Sequence, residues 1–171
     1  MVNQSSIREQ LSTEVQDIYN VLDTVLDPEV PVLSVVDLGI IRNVRMENNS
    51  VQVDICPTYS GCPALDVIAI DIKFALDQAG YTESKVSYIL DQPWTTDWIA
   101  ENGKKKLKEY GIAPPQGSPD KRILAELDKI IICPICDSKN TEMISAFGST
   151  ACKSLYRCKD CLEPFDYFKC H

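Results

Sequence analysis

Cysteine carries most of the potential chemistry in this 171-residue chain, which has eight cysteines, six of them after residue 132. Cys133 and Cys136 lie in "CPIC", Cys158 and Cys161 lie in "CKDC", and 21 residues separate the two pairs. Zn²⁺ prefers four tetrahedral ligands, and thiolates on two tight turns would fill that shell and exclude water. The spacing predicts a structural Cys₄ zinc site in a ribbon; iron in a rubredoxin-like site is the chemical alternative.

Two further cysteines lie near this quartet. Cys152 precedes the second pair by six residues and Cys170 follows it by nine, so a hairpin that folds back there would place them on neighbouring strands. One interpretation is a pair of buried apolar thiols, because free cysteine packs as a small hydrophobe. The other is a second metal or redox site formed by Cys152, Cys170 and His171, the only histidine in the chain.

The remaining two cysteines lie upstream, in the segment "CPTYSGCPA" at residues 56–64. Cys62 precedes Pro63, which suits the first position of a helix, so we expect Cys62 at the N-cap. The unpaired N–H groups and the positive end of the helix dipole would stabilise a thiolate there and lower its pKa. Cys62 is therefore a candidate ligand or nucleophile, whereas Cys56, at the end of a predicted strand, is expected to be core.

A first helix must precede these sites. Ser6 with Glu9, and Thr13 with Gln16, match the capping-box pattern, and apolar residues follow at helical spacing as far as residue 25. The prolines of "LDPEVP" are expected to stop this helix.

Predicted strands precede the Cys62 segment, and predicted helices and a further strand follow it. Apolar residues alternate on either side of Asn48 and Asn49, which predicts a β-hairpin. An apolar stripe over residues 65–79 predicts a second helix, alternation over 86–90 predicts a third strand, and a third helix should follow over 94–111.

The Pro-rich segment "APPQGSPD" begins at residue 113 and suggests a linker. We therefore predict an α+β domain of order αββαβα over residues 1–112, a linker over 113–129 and a Cys₄ zinc-ribbon β module over 130–171. The lysines of "GKKKLKEYG" are expected to form a solvated helix face.

Charge and composition exclude several function classes. The formal net charge of -8 argues against nucleic-acid binding, which relies on Lys and Arg, and suits solubility or docking to a basic protein partner. No apolar run approaches the roughly 20 residues of a membrane span, and the start lacks a secretory signal, so we expect a cytoplasmic protein. One histidine and no Glu-x-x-His pair exclude the usual di-iron carboxylate site, and no phosphate-binding glycine loop is present.

Two motifs carry a family resemblance. "DPEVPVLSVVDLGIIRNV" and "PTYSGCPA" resemble the MIP18 (DUF59) family of iron-sulfur assembly proteins, and with the tail "GSTACKSLYRCKDCLEPFDYFKCH" the chain is similar to the PaaD family, which accompanies bacterial ring 1,2-phenylacetyl-CoA epoxidase. The resemblance implies a small MIP18-like α+β domain in which Cys62 handles an iron-sulfur cluster, with Asp37 and Thr58 lining the same site. Asp27 and Glu29 also match, although helix termination and turn formation would account for them.

The resemblance also implies a function in phenylacetate degradation. The chain would be an accessory maturation protein, not itself an enzyme, that holds a structural Zn²⁺ and a labile iron-sulfur cluster. Its partners would be the oxygenase and reductase components of the epoxidase system, with no nucleic acid and no membrane. Cys56 and Cys62 are fewer than the four thiolates of an ordinary cluster, so a homodimer, a small thiol or a partner would complete the shell. The alternative is a non-catalytic structural subunit of the oxygenase complex.

Overall fold

The computed structural model describes residues 12–59, 61–91, 93–116 and 130–169. The elements in chain order are α1 Thr13–Leu22, β1 Ile41–Glu47, β2 Ser50–Ile55, α2 Leu65–Gln78, β3 Ser84–Tyr88, α3 Glu101–Glu109, β4 Ile112–Ala113, β5 Thr141–Ser145, β6 Lys153–Cys158 and β7 Pro164–Phe168. The predicted order αββαβα and the β-rich C-terminal module are both confirmed. One sheet has the order β1-β2-β3 and the other has the order β4-β7-β6-β5.

Helix α1 begins one residue away from the predicted cap. Ser12 is the N-cap, and its Oγ accepts a hydrogen bond from the backbone N–H of Val15 at 3.4 Å. The predicted Thr13–Gln16 capping pair is therefore wrong, because Ser12 already takes the cap position and Thr13 is the first helical residue. The other predicted capping pair lies in residues 1–11, outside the described part of the chain.

The hairpin is confirmed and is closed by a two-residue turn. Asn48 and Asn49 have φ of 50° and 64°, and Glu47 pairs with Ser50. Asparagine tolerates this left-handed conformation, and the resulting turn matches the twist of the flanking strands. Helix α2 then crosses over to β3, which pairs in parallel with β2. The loop that carries Cys62 thus lies at the C-terminal end of β2, where α2 begins.

The predicted apolar stripe of α2 faces the core. Ile68, Ala69, Ile72 and Leu76 are buried in the same cluster as the strands of the first sheet. Gly80 follows the helix with φ of +94°, a left-handed value that terminates helices and favours glycine.

The C-terminal ribbon packs against the N-terminal α+β domain. Strand β4 pairs in parallel with β7 of the ribbon, and Ala113, in the segment predicted as linker, is fully buried in this pairing. The Phe168 ring meets the Trp94 ring edge-on with centroids 6.1 Å apart. Phe168 and Cys152 belong to the core cluster of the N-terminal domain. The ribbon therefore contributes two residues to the N-terminal core, while a second apolar cluster lies within the ribbon itself. Residues 117–129 lie outside the described chain.

Within the described ranges, the helices are all too short or too polar to cross a membrane.

Candidate metal centres

The four ribbon cysteines converge on one point. Their Sγ atoms all lie within 4.8 Å of one another, with 3.8 Å between Cys133 and Cys161 and 3.6 Å between Cys136 and Cys158. A tetrahedron with Zn–S bonds of about 2.3 Å separates its sulfurs by about 3.8 Å. The donor set and its spacing therefore fit a zinc ion, which would be held by thiolates alone.

Both knuckles turn in the same way to aim their sulfurs. Asp137 follows the first knuckle and Leu162 follows the second, with φ of 58° and 67° respectively. The Asp160 carboxylate links the knuckles, because it accepts hydrogen bonds from Ser138 Oγ at 2.5 Å and Asn140 Nδ2 at 2.7 Å. The backbone turns and these polar cross-links therefore help to position the four sulfurs.

Backbone donors also favour a thiolate at the second knuckle. The N–H groups of Cys161 and Asp160 point at the Cys158 sulfur and lower the pKa of that thiol to about 6. Deprotonated sulfur is the form that binds metal.

The upstream cysteine, Cys62, lies where the loop after β2 enters α2. The cap residue of α2 is Ala64, so the prediction that Cys62 is the N-cap is wrong by two residues. The Cys62 sulfur nevertheless accepts hydrogen bonds from the N–H groups of Ala64 and Leu65. The Leu65 N–H also donates to the Cys62 backbone C=O at 3.4 Å, so Cys62 contacts the start of α2 through both its sulfur and its backbone.

The predicted lowering of the Cys62 pKa is wrong in sign. Burial is the largest influence and raises the pKa, the charges of Glu29 and Asp27 raise it further, and the two backbone N–H groups do not offset them. Cys62 is therefore a protonated thiol near neutral pH. The sequence indicated the helix start but not the approach of the Asp27 and Glu29 carboxylates of the "DPE" loop to Cys62.

The "DPE" loop forms a rigid turn beside Cys62. Asp27 is buried, and its Oδ1 accepts hydrogen bonds from the N–H groups of Glu29 at 2.9 Å and Val30 at 2.7 Å. Burial raises the pKa of Asp27, and the two backbone donors oppose that shift. The predicted turn-forming role of Asp27 is confirmed, and the turn directs Glu29 toward the ribbon.

Tyr59 is a site residue that the sequence analysis did not identify. Its hydroxyl is hydrogen-bonded to the Cys62 sulfur, and its backbone C=O accepts from the Cys62 N–H at 3.3 Å. Burial first, and then the charges of Cys62, Glu29 and Cys152, raise the pKa of Tyr59 to about 12. The sequence signal for this contact was the tyrosine three residues before Cys62, in the same turn.

Asp37 and Thr58 were predicted to line the same site. The buried Asp37 carboxylate accepts hydrogen bonds from the Ser34 N–H at 3.3 Å and from Lys106 Nζ at 2.5 Å. This ion pair joins the Asp37 loop to α3. The prediction that the lysines of α3 form a solvated face is therefore wrong for Lys106. Thr58 is half-buried in the loop between β2 and Cys62. Cluster handling by either residue stays a prediction.

Cys152 lies at the boundary between the ribbon and the N-terminal domain. It is only 4% exposed, and its sulfur lies 3.0 Å from Thr150 Oγ1 and 3.5 Å from Glu29 Oε2. Burial is the main reason that its pKa rises to about 12. Its predicted partners Cys170 and His171 lie outside the described residues, so that pairing stays a prediction.

Cys56 is 2% exposed and belongs to the main core, as the sequence suggested. Burial raises the pKa of this thiol.

Comparison with known proteins agrees with this two-part architecture. Residues 15–87 match the model of the iron-sulfur cluster assembly protein family, and residues 117–169 match that of the PaaD zinc beta ribbon domain. The domain of unknown function DUF59 from Bacillus anthracis, a solved structure, is 28% identical with a TM-score of 0.51, over 54% of this chain and 90% of that one.

Two curated relatives extend the comparison. An Fe-S protein maturation auxiliary factor of Porphyromonas gingivalis is 36% identical over 58% of this chain and 94% of its own length. A protein of Escherichia coli K12 that is named as a subunit of 1,2-phenylacetyl-CoA epoxidase is 46% identical, over 92% of this chain and 93% of its own length. Since that match spans both the assembly domain and the ribbon, the chain belongs to the PaaD family of phenylacetyl-CoA epoxidase subunits.

Proposed function

We propose that this protein is an accessory maturation factor of a phenylacetyl-CoA epoxidase system, which handles an iron-sulfur cluster through Cys62 and is not itself an enzyme. The observation that carries the proposal is the position of Cys62, half-buried beside the start of α2, with Tyr59 and two carboxylates around it. The names of the relatives, one an epoxidase subunit and one a maturation auxiliary factor, support the same combination.

The environment of Cys62 suits a ligand that must release its cargo. Because burial and nearby carboxylates favour the protonated thiol, a metal has to displace a proton to bind, and that requirement weakens binding at neutral pH. The ribbon quartet is the opposite case, since four sulfurs close around one point and leave no open position. We therefore assign the transferable metal to Cys62 and a permanent Zn²⁺ to the ribbon.

The partners in this proposal are the oxygenase and reductase components of the epoxidase system. The excess of acidic residues gives the surface a net charge of -8, which suits docking to a basic protein face.

The test is to co-express the epoxidase components with the wild-type chain, with Cys62→Ala or with Cys56→Ala as a matched loss of a thiol outside the site. We expect the purified oxygenase and reductase to contain several-fold less iron with Cys62→Ala and normal iron with Cys56→Ala. Full iron and normal assembly with Cys62→Ala would contradict the maturation role. A complex that falls apart only when the whole chain is omitted would identify a structural subunit instead.

A further inference from the structure

We propose that Cys152 of the ribbon is the second thiolate ligand of the Cys62 site, so that the ribbon completes a cluster-binding site that the N-terminal domain holds only in part. This inference rests on the proposed function, because it names the ligand set of the same site. It assigns to the ribbon a direct part in binding, in addition to its own structural zinc.

The first support is the packing of the ribbon. Cys152 immediately precedes β6 and is buried in the N-terminal core cluster, against which Tyr59 and Cys62 also pack. The next residue, Lys153, is buried and its Nζ donates a hydrogen bond to the backbone C=O of Glu29 at 3.3 Å. The ribbon is thus fastened to the "DPE" turn at the residue that adjoins Cys152.

The second support is that both thiols share the same neighbours. The Glu29 carboxylate lies 3.5 Å from the Cys152 sulfur, and its charge also acts on Cys62. The charge of Asp27 raises the pKa of both thiols. Tyr59 is hydrogen-bonded to Cys62, and the charge of Cys152 raises the pKa of Tyr59. Two cysteines that are distant in sequence therefore lie near the same two carboxylates and the same phenol.

The third support is that the Cys152 sulfur makes polar contacts although the residue lies in the apolar core cluster. Its sulfur has two polar contacts, with Thr150 Oγ1 and Glu29 Oε2, although it is almost completely buried. A buried thiol that served only for packing would be expected to contact apolar groups. Two thiols and a carboxylate are instead a donor set suited to iron.

Binding at this site is a ligand exchange without electron transfer. Each thiol forms an Fe–S bond as its S–H bond breaks and as the iron releases a water or a small thiol, and the proton leaves for solvent through the neighbouring carboxylates. Among the described residues, only the ribbon quartet has three or more ligand atoms all within 4.8 Å of one another. The looser arrangement around Cys62 suits a cluster whose irons take separate thiolates, and a small thiol or the recipient protein would supply the remaining ligands.

The experiment uses the full chain, purified anaerobically and reconstituted with ferrous iron and sulfide. Wild type is compared with Cys62→Ser, Cys152→Ser, the double variant, Cys170→Ser and the control Cys56→Ser. Iron and sulfide per chain and the visible spectrum report the cluster, whereas zinc per chain and the melting temperature report the fold. A second measurement needs no variant: the wild-type chain is alkylated before and after reconstitution, and the protected cysteines are identified by mass spectrometry.

We expect both single variants to bind iron about tenfold more weakly or worse and so to retain less iron per chain, with little further loss in the double variant, since loss of even an outer-shell partner costs that much in metal affinity. Zinc should stay at one per chain, and Cys62 and Cys152 should be protected together. Full iron in Cys152→Ser with loss in Cys62→Ser, or protection of Cys62 alone, would overturn the inference and leave the proposed function standing.

Two other results would also be decisive. Iron retained by Cys62→Ser but lost by Cys152→Ser and Cys170→Ser would place the metal in a separate ribbon site and overturn the inference. No iron uptake by the wild-type chain would overturn the proposed function together with it.

Discussion

The chemistry of Cys62 is set by individual residues that act on one sulfur in opposite directions. The N–H groups of Ala64 and Leu65 stabilise the thiolate, whereas burial and the charges of Glu29 and Asp27 favour the thiol, and the second group prevails. A helix start by itself is therefore a poor guide to cysteine reactivity, because the loop packed across it decides the sign of the pKa shift.

Asp27→Asn tests the electrostatic part of this account. The folded-state pKa of Asp27 is raised above 3.8. The contribution of this carboxyl group to folding stability is therefore fully present below pH 3.8 and is lost as pH rises through the folded-state pKa. The substituted amide would keep the Oδ1 acceptor of the turn without the charge. We expect urea unfolding to show the variant gaining stability relative to wild type as pH rises from acidic to neutral, and a pH-independent difference would contradict this.

Gly39→Ala tests the turn that the "DLG" motif requires. Gly39 has φ of +67°, and an added Cβ would lie 2.1 Å from the backbone O of Trp98. Gly80 is a matched control, because it has φ of +94° but no atom within 4 Å of an added Cβ. We expect a loss of unfolding free energy of about 3 kcal/mol or more for Gly39→Ala and of about 1–2 kcal/mol for Gly80→Ala. Equal losses in urea titrations would argue against the steric account.

At the scale of elements, the parallel crossover from β2 through α2 to β3 places Cys62 at the end of the sheet. Helix α3 then holds the Asp37 loop: Lys106 pairs with Asp37, and the Ala100 N–H donates to the Asp37 C=O at 2.8 Å. These contacts fix the loop that follows the "DPE" turn, so α3 supports the site without contributing a ligand to it.

Lys106→Met tests that support. It leaves the buried Asp37 carboxylate without its cation, and because Lys106 is 34% exposed we expect a loss of about 2 kcal/mol. Lys105→Met is the matched control on the same helix, because Lys105 is 75% exposed and lies 3.8 Å from Glu109. An exposed pair contributes about 0.5 kcal/mol or less. Thermal and urea unfolding of both variants measure the difference, and similar losses in the two would refute the role given to Asp37.

At the scale of the whole molecule, the ribbon and the N-terminal domain are joined by several contacts. They share strand pairing between β4 and β7, the Trp94–Phe168 ring contact and the ion pair between Lys108 and Asp137 at 2.6 Å. We therefore expect loss of zinc to destabilise the N-terminal domain as well as the ribbon.

Zinc chelation tests this coupling. The chain has two tryptophans, so Trp98→Phe leaves Trp94 as a single reporter at the contact with Phe168. We expect a strong chelator to change Trp94 emission and to lower the melting temperature of the whole chain in one transition. Cys133→Ser should resemble the chelated protein without further response to chelator. Unchanged Trp94 emission after measured zinc loss would mean that the ribbon unfolds independently.

The sequence by itself determined the local features. The two C-x-x-C pairs specified the quartet of converging thiols because their spacing suits two tight turns, and Asn48 and Asn49 specified the hairpin because both tolerate positive φ. Helical and strand periodicity likewise determined the order of elements, and the family motifs singled out Cys62.

Only the tertiary structure decided what surrounds Cys62. The raised pKa of that thiol, its hydrogen bond with Tyr59 and the contact of Cys152 with Glu29 depend on packing between different segments of the chain. Burial and long-range charge leave no periodic pattern in a sequence, so their sign and magnitude follow from which surfaces meet. Cys152 is 90 residues from Cys62 in the sequence, and folding places both cysteines at the same core cluster.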